Sequence, residues 1–138
     1  MNATALAVVD TDVLSFLFKN HSLAPAYQAI LAGRPLAVSL ISMGEVEYGM
    51  EVKNWGAGRR EMMRRFLGHF TLLMPDVETA GLWARTKSGC EKKGRPITFA
   101  DAWIAAAALQ VNAPLVTNNA NDFRSVEGLK ILTASLST

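Results

Sequence analysis

Short apolar runs alternate with amphipathic stretches of helical spacing along most of the chain. Four of these runs, at residues 6–9, 36–40, 72–74 and 114–116, are long enough for buried strands but too short for buried helices. A fifth and weaker one lies at residues 130–132. Because a helical stretch separates most consecutive strands, the pattern predicts a mostly parallel sheet of about four or five strands with helices covering both of its faces.

The length and composition fit one globular domain spanning residues 1–138. Half of the residues are hydrophobic and 19% are charged, which excludes a disordered chain and allows a substantial core. With a single cysteine, the chain cannot form an internal disulfide. It has no apolar run of the length that crosses a bilayer, and its first residues lack the basic start of a signal peptide. We therefore expect a cytoplasmic protein.

The charges are distributed unevenly along the chain. Residues 53–95 have a net charge of +6, whereas the rest of the chain has a net charge of −4. A basic region beside an acidic focus is one way to hold a polyanion against bound metal cations. Solvated helix faces without a partner would give the same pattern.

Four acids follow strands or begin helices at corresponding points of the pattern: Asp10, Glu45, Asp101 and Asp122. The carboxyl ends of parallel strands lie at one edge of the sheet, so we expect these acids to lie close together. Any one of them could instead cap or complement a helix N-terminus. A group of four carboxylates repels itself unless a cation neutralises it, and oxygen ligands favour Mg²⁺ or Mn²⁺.

Helix caps account for some of the polar residues near these acids. Asp12 is predicted to cap the first helix, with support of the acidic site as the alternative. Ser42 and Glu45 have the spacing of a capping box at the start of the third helix. Thr98 or its neighbour is predicted to cap the helix at residues 99–111.

Four segments resemble the sequence motifs of PIN-domain nucleases, and they occur in the same order. They are residues 9–14, 42–49, 99–106 and 115–119, the last extended by Asp122 and Phe123. The spacing is similar to that of the small VapC-type toxins of bacterial type II toxin–antitoxin pairs. One departure is Asn119, where some members have an acid.

The resemblance implies a three-layer α/β/α sandwich with Mg²⁺-dependent endoribonuclease activity, in which metal-activated water cleaves phosphodiester bonds in RNA and Mn²⁺ can replace Mg²⁺. It also implies a homodimer, no membrane association, and a cognate antitoxin protein that blocks the site. The catalytic residues it implies are Asp10, Glu45, Asp101 and Asp122. The metal ligands it implies are Asp10, Glu45, Asp101 and Asn119, with either Asn119 or Asp122 completing the site. Thr11, Asp12 and Thr117 take supporting positions.

Four arginines on one predicted helix are candidate contacts to RNA phosphates or to acidic antitoxin side chains: Arg59, Arg60, Arg64 and Arg65. A solvated helix face is the alternative for these residues.

Two other functions remain open from the sequence. Asp10 and Asp12 have the D-x-D spacing of a haloacid-dehalogenase-like phosphatase, in which Asp10 would be the nucleophile and Asp12 the general acid. However, Leu14 replaces the threonine expected there, and the chain is short for that fold. A non-catalytic RNA-binding member of the PIN family is the second alternative, although the candidate acids are all present.

Overall fold

The computed structural model describes residues 5–134 as alternating strands and helices. The strands are β1 (Ala7–Val9), β2 (Leu36–Ser39), β3 (Thr71–Leu73), β4 (Leu115–Val116) and β5 (Ile131–Leu132). The helices are α1 (Thr11–Lys19), α2 (Ala24–Leu31), α3 (Leu40–Val52), α4 (Ala57–Leu67), α5 (Val77–Lys92) and α6 (Phe99–Gln110). A short 3₁₀ turn, Ala120–Phe123, lies between β4 and β5.

The five strands form one parallel sheet in the order β3-β2-β1-β4-β5. From β1 the chain winds outward through β2 to β3, and it then returns to β4 on the other side of β1 and continues to β5. The direction of winding therefore reverses between β1 and β4. In sheets of this kind, ligands bind beyond the carboxyl ends of the strands at such a reversal.

Helices cover both faces of the sheet, as expected. Because side chains alternate along a strand, Ala7 and Val9 face one layer and Val8 faces the other. The first layer contains α1, α2, α3 and α4, and the second contains α5 and α6. The predicted α/β/α sandwich is confirmed.

Two of the predicted helix caps are wrong. Helix α1 is capped by Asp10, whose side chain accepts a hydrogen bond from the Thr11 N–H, and not by Asp12. Helix α3 begins directly after β2 and is capped by Ser39, which accepts from the Ser42 N–H, so Ser42 and Glu45 do not form a capping box. In both cases the strand leads directly into the helix: Asp10 is the single residue between β1 and α1, and Ser39 is the last residue of β2. The predicted Thr98 cap of α6 is confirmed.

Among the described residues, no helix combines the length and the apolar character needed to cross a bilayer.

Candidate active site

Asp10 lies at the centre of the candidate site, directly after β1 and beside the end of β4. It is 5% exposed, and each of its carboxylate oxygens accepts a hydrogen bond. The Thr11 N–H donates to Oδ1 at 2.8 Å, and the Thr117 hydroxyl donates to Oδ2 at 2.7 Å. The Asn119 N–H in turn donates to the Thr117 hydroxyl oxygen at 3.0 Å. This sequence of donors fixes Asp10 in one orientation at the reversal of the sheet.

Glu45 reaches the same edge of the sheet from α3. It is exposed, and the Thr11 hydroxyl donates to its Oε1 at 2.6 Å. The Ser42 hydroxyl oxygen lies 3.0 Å from the Thr11 hydroxyl oxygen and is fully buried. Thr11 therefore links the buried Asp10 to the exposed Glu45, because its backbone contacts one and its side chain contacts the other.

Asp12 joins the first helix to the loop after β4. Its Oδ2 accepts from the Asn118 N–H and from the Asn119 side-chain amide, both at 3.0 Å, and its Oδ1 accepts from the Val13 N–H at 2.7 Å. The supporting role given as the alternative for Asp12 is the one that its contacts favour. Asn119 is exposed, and its amide nitrogen is directed at Asp12.

Asp101 and Asp122 lie on the two elements that precede and follow β4 in the chain. Asp101 is in the first turn of α6, just inside the Thr98 cap, and is partly buried. Asp122 is exposed within the 3₁₀ turn, and this turn has no side-chain cap. Phe123 beside it is 1% exposed and anchors the turn in the core.

The pKa values of these acids reflect both their burial and the negative charges of their neighbours. Burial raises the pKa of Asp10 to about 6, and the negative charges of Asp12 and Glu45 add to the effect, although hydrogen bonds from Thr117 and Thr11 oppose it. Burial likewise raises the pKa of Asp101 to about 6, with contributions from the charges of Asp10, Asp122 and Glu45. Burial also raises the pKa of Asp12. These contributions indicate that Asp10, Glu45, Asp101 and Asp122 lie near one another, and their assignment as catalytic residues stays a prediction.

The donor chemistry of the site fits a hard divalent cation. The carboxylates destabilise one another, and a cation would relieve this repulsion. Within residues 5–134, no group of three or more His, Cys, Asp or Glu side chains has the arrangement of a complete metal site. Mg²⁺ does not require one, because it is usually held by one or two carboxylates and keeps several waters. The predicted ligand set of Asp10, Glu45, Asp101 and Asn119 stays a prediction.

Three of the four arginines predicted as RNA or antitoxin contacts already form ion pairs with glutamates of the chain. Arg64 makes two hydrogen bonds to Glu47, at 2.9 and 2.7 Å, while Arg60 pairs with Glu51 and Arg65 pairs with Glu61. Arg59 differs from the other three, because its guanidinium carbon lies 3.9 Å from the centre of the Trp55 ring.

Two polar positions near the site were not predicted from the sequence. Ser42 is predicted as a cap, but its hydroxyl oxygen instead accepts hydrogen bonds from the hydroxyls of Ser39 and Thr11. Tyr27 of α2 is fully buried and donates a hydrogen bond to Asn118 Oδ1 at 2.7 Å. Since Tyr27 and Asn118 are 91 positions apart in the sequence, no local pattern could have identified this pair.

The phosphatase alternative disagrees with the contacts of Asp12. A general acid must carry a proton and direct it at the reacting group. Both oxygens of Asp12 accept N–H hydrogen bonds from α1 and from the loop after β4. They therefore hold the loop in place and are not free to donate a proton beside Asp10.

Comparison with protein families gives a match to the model described as PIN domain, over residues 7–129. Among curated proteins, the chain is 30% identical over 132 residues to Ribonuclease VapC1 of Haemophilus influenzae, strain R2866. The alignment covers 89% of this chain and 93% of that ribonuclease.

Solved structures resemble this fold over nearly the full length of both chains. A chain in the structure of VapBC-1 from nontypeable Haemophilus influenzae has a TM-score of 0.79 and 25% identity, and the match covers 93% of this chain and 97% of that one. A chain in VapBC2 from Rickettsia felis, bound to a DNA fragment from its promoter, has a TM-score of 0.83 at 22% identity. That match covers 94% of this chain and 99% of that one and supports the fold alone.

Proposed function

This chain belongs to the PIN-domain family and is related within it to the VapC ribonucleases, and from that premise we propose that it is an endoribonuclease toxin that cleaves RNA with carboxylate-bound Mg²⁺. The acids that we assign to catalysis are Asp10, Glu45, Asp101 and Asp122. A cognate antitoxin protein would neutralise the toxin by covering this edge of the sheet.

The observation that supports the proposal most strongly is the mutual effect of the acids on their pKa values. Asp10 lies on a different element from Asp101, more than 90 positions earlier in the chain, yet its negative charge adds to the effect of burial in raising the pKa of Asp101. The charge of Glu45 contributes to the raised pKa values of both residues. Acids that served only as caps would not need to lie near one another. A cation site explains why they do, and phosphodiester cleavage is a reaction in which such a site acts.

The roles of the residues follow from their contacts. When bound, Mg²⁺ would lower the pKa of a water and neutralise charge on the phosphate. Asp10 would be the most rigid oxygen donor, because Thr11 and Thr117 fix both of its oxygens. Glu45 is exposed and has one oxygen free of the Thr11 contact, so it can move to accept a proton from an attacking water. Asp12 would keep the loop after β4 closed against the site.

Removal of divalent metal should stop cleavage completely. We expect purified protein to cut single-stranded RNA in Mg²⁺, to lose this activity in EDTA, and to recover it with Mg²⁺ or Mn²⁺ but not with added monovalent salt. The measurement is the appearance of defined RNA ends. Undiminished cleavage in EDTA would contradict the metal assignment, and the absence of cleavage under all conditions would favour the non-catalytic RNA-binding alternative.

The residue that completes the site can be identified from the Mg²⁺ requirement. The charge of Asp122 acts on Asp101, so Asp122→Asn should raise the Mg²⁺ concentration needed for half-maximal cleavage. Asn119→Asp should lower it, because a carboxylate binds Mg²⁺ more strongly than an amide does. The same substitution places two carboxylates together at Asp12 and should destabilise the metal-free protein.

An alternative outcome would reassign these two residues. If Asp122→Asn left the Mg²⁺ requirement unchanged and cost about 1 kcal/mol of stability, Asp122 would be structural and the metal role would pass to Asn119.

We also propose a homodimer. Three apolar side chains are exposed beside the edge strand β3: Leu72, Met74 and Val77. Val77 is 90% exposed at the start of α5. Exposed apolar side chains beside an unpaired strand edge are features that a second copy of the chain would cover.

A further inference from the structure

A groove of about 160 Å³ runs between α1 and α3, away from the acidic edge of the sheet. Each helix lines it with residues four positions apart, which lie on one helix face. They are Thr11, Ser15 and Lys19 on α1, and Glu45 and Gly49 on α3 together with its C-cap residue Lys53.

The two ends of the groove have opposite charge. Thr11 and Glu45 form the end at the candidate active site, and Lys19 and Lys53 form the other. Eight residues of helix separate the ends on each side, which corresponds to about 12 Å. The lysines are therefore too far away to contact a phosphate held at the acids, but they are close enough to contact a neighbouring phosphate of the same strand.

A third cation joins the two lysines at this end. Arg59, from the first turn of α4, packs over the Trp55 ring, and the Lys19 ammonium lies 6.0 Å from the centre of that ring. The Trp55 ring also stacks on Phe18, with 5.8 Å between ring centres. Trp55 is therefore a fixed aromatic platform that positions cations.

In residues 5–134, Lys19, Lys53 and Arg59 form no ion pair, whereas the neighbouring Arg60 and Arg64 each have a glutamate partner. Burial, followed by the proximity of Lys53 and Arg59, lowers the pKa of Lys19. The three cations repel one another in the free protein, and an anion would relieve that repulsion.

Helix dipoles explain only part of this arrangement. Lys19 and Lys53 end their helices, where the dipole favours a positive charge. Arg59 lies in the first turn of α4, where the dipole disfavours one. Its contact with the Trp55 ring holds it beside the two lysines against this dipole.

Gly49 keeps the middle of the groove open. It is an interior residue of α3, and a Cβ built there would meet no atom within 4 Å. A larger side chain at this position would therefore start in open space and extend into the groove.

From this geometry we infer that the groove is a backbone-binding subsite for single-stranded RNA, in which Lys19, Lys53 and Arg59 hold a phosphate next to the one being cleaved. The inference rests on the proposed ribonuclease function and extends it by assigning the path of the substrate strand. The cations would contribute to binding and position, and no chemical step involves them.

Binding of RNA to an inactive chain tests the subsite directly. The probe is fluorescently labelled, unstructured single-stranded RNA, and its affinity for the Asp101→Asn protein is measured in Mg²⁺ over a series of salt concentrations. Adding Lys19→Ala and Lys53→Ala should weaken binding roughly tenfold, and should reduce the slope of log affinity against log salt by about 0.7 per cation removed. Lys92→Ala is the matched control, because Lys92 is an exposed lysine at the end of α5 in the opposite helix layer and should leave both quantities unchanged.

A glutamate at the glycine position gives a second test that leaves the lysines in place. Gly49→Glu should weaken RNA binding through bulk and charge in the groove. Gly89→Glu is the control, because Gly89 is an interior glycine of α5 with open space at its Cβ position.

The outcomes separate the subsite from the proposed function. A wild-type chain that neither binds nor cleaves RNA would overturn the proposed function and the subsite with it. If the wild type cleaves RNA and the double lysine variant binds RNA with the same affinity and salt dependence, the subsite alone is overturned. If the double lysine variant kept its RNA affinity but no longer bound the antitoxin, the subsite would also be overturned, and the groove would be assigned to the antitoxin.

Discussion

Asp101→Asn is expected to abolish RNA cleavage and to leave the metal-free protein at least as stable as the wild type at neutral pH. The loss of activity follows from removing one of the charges that would hold the cation. Stability should not fall, because burial raises the pKa of Asp101 and the charges of Asp10, Asp122 and Glu45 add to that effect, so the ionised carboxylate is unfavourable in the folded chain. RNA cleavage and the free energy of unfolding, both measured on the same preparations, test the two parts of the prediction.

The pH dependence of stability should show the same repulsion. The pKa of Asp10 is raised from 3.8 to about 6, so the folded chain binds more protons than the unfolded chain between these values. The free energy of unfolding of the metal-free protein should therefore fall as the pH rises from about 4 to about 6, and should then remain low. For the buried Asp10 this corresponds to roughly 3 kcal/mol. Because Asp101 is only partly buried, solvent screening reduces its contribution to the fall in the free energy of unfolding to about 1 kcal/mol.

A remote acid provides the control for both measurements. Glu127→Gln removes one negative charge from an exposed position and should change neither cleavage nor the pH profile. Cleavage at the wild-type rate by Asp101→Asn would refute the catalytic assignment. Unfolding of this variant would instead give Asp101 a structural role at the start of α6.

Much of the fold could be predicted from local sequence patterns. Strands buried on both faces appear as short apolar runs, and helices between them lead to a parallel sheet. The boundaries were less accurate where strand and helix join directly. Ser42 and Asp12 both have the residue type and spacing of a cap, but Ser39 and Asp10 come first in the chain and accept the cap hydrogen bonds.

The edge at which the acids would meet could also be predicted, because strand ends of a parallel sheet lie side by side. The contacts that hold the acids in place could not. Thr117 reaches Asp10 across 107 positions of sequence, and Tyr27 reaches Asn118 across 91. Such contacts depend on the strand order β1-β4 and on the packing of α2, which no local pattern contains.

The basic region shows a further limit of sequence reasoning. From the sequence alone, four arginines on one predicted helix are equal candidates for contacts to RNA or to the antitoxin: Arg59, Arg60, Arg64 and Arg65. In the folded chain, Arg60 and Arg64 form ion pairs with glutamates of α3. Arg59 instead packs over the Trp55 ring. Net charge along a segment therefore overstates the number of cations available to a polyanion.

Production of the chain alone in bacteria should arrest growth, and this is the second large effect that we expect. RNA cleavage by an uninhibited toxin would deplete an essential RNA, whereas Asp101→Asn should be tolerated at the same protein level because it removes the chemistry but not the fold. Glu127→Gln should arrest growth like the wild type, since Glu127 is exposed and has no assigned part in the site. Growth curves with matched soluble protein levels provide the measurement.

Co-production of the cognate antitoxin should restore growth, and the acid cluster indicates how. A basic antitoxin side chain placed among Asp10, Glu45 and Asp101 would relieve the same repulsion that a metal ion relieves, and it would exclude the metal at the same time. The complex should therefore lose the fall in stability between pH 4 and 6 that we expect of the free toxin. Normal growth in the presence of folded protein that cleaves RNA in the test tube would instead indicate a housekeeping nuclease, because the activity would then be present without toxicity.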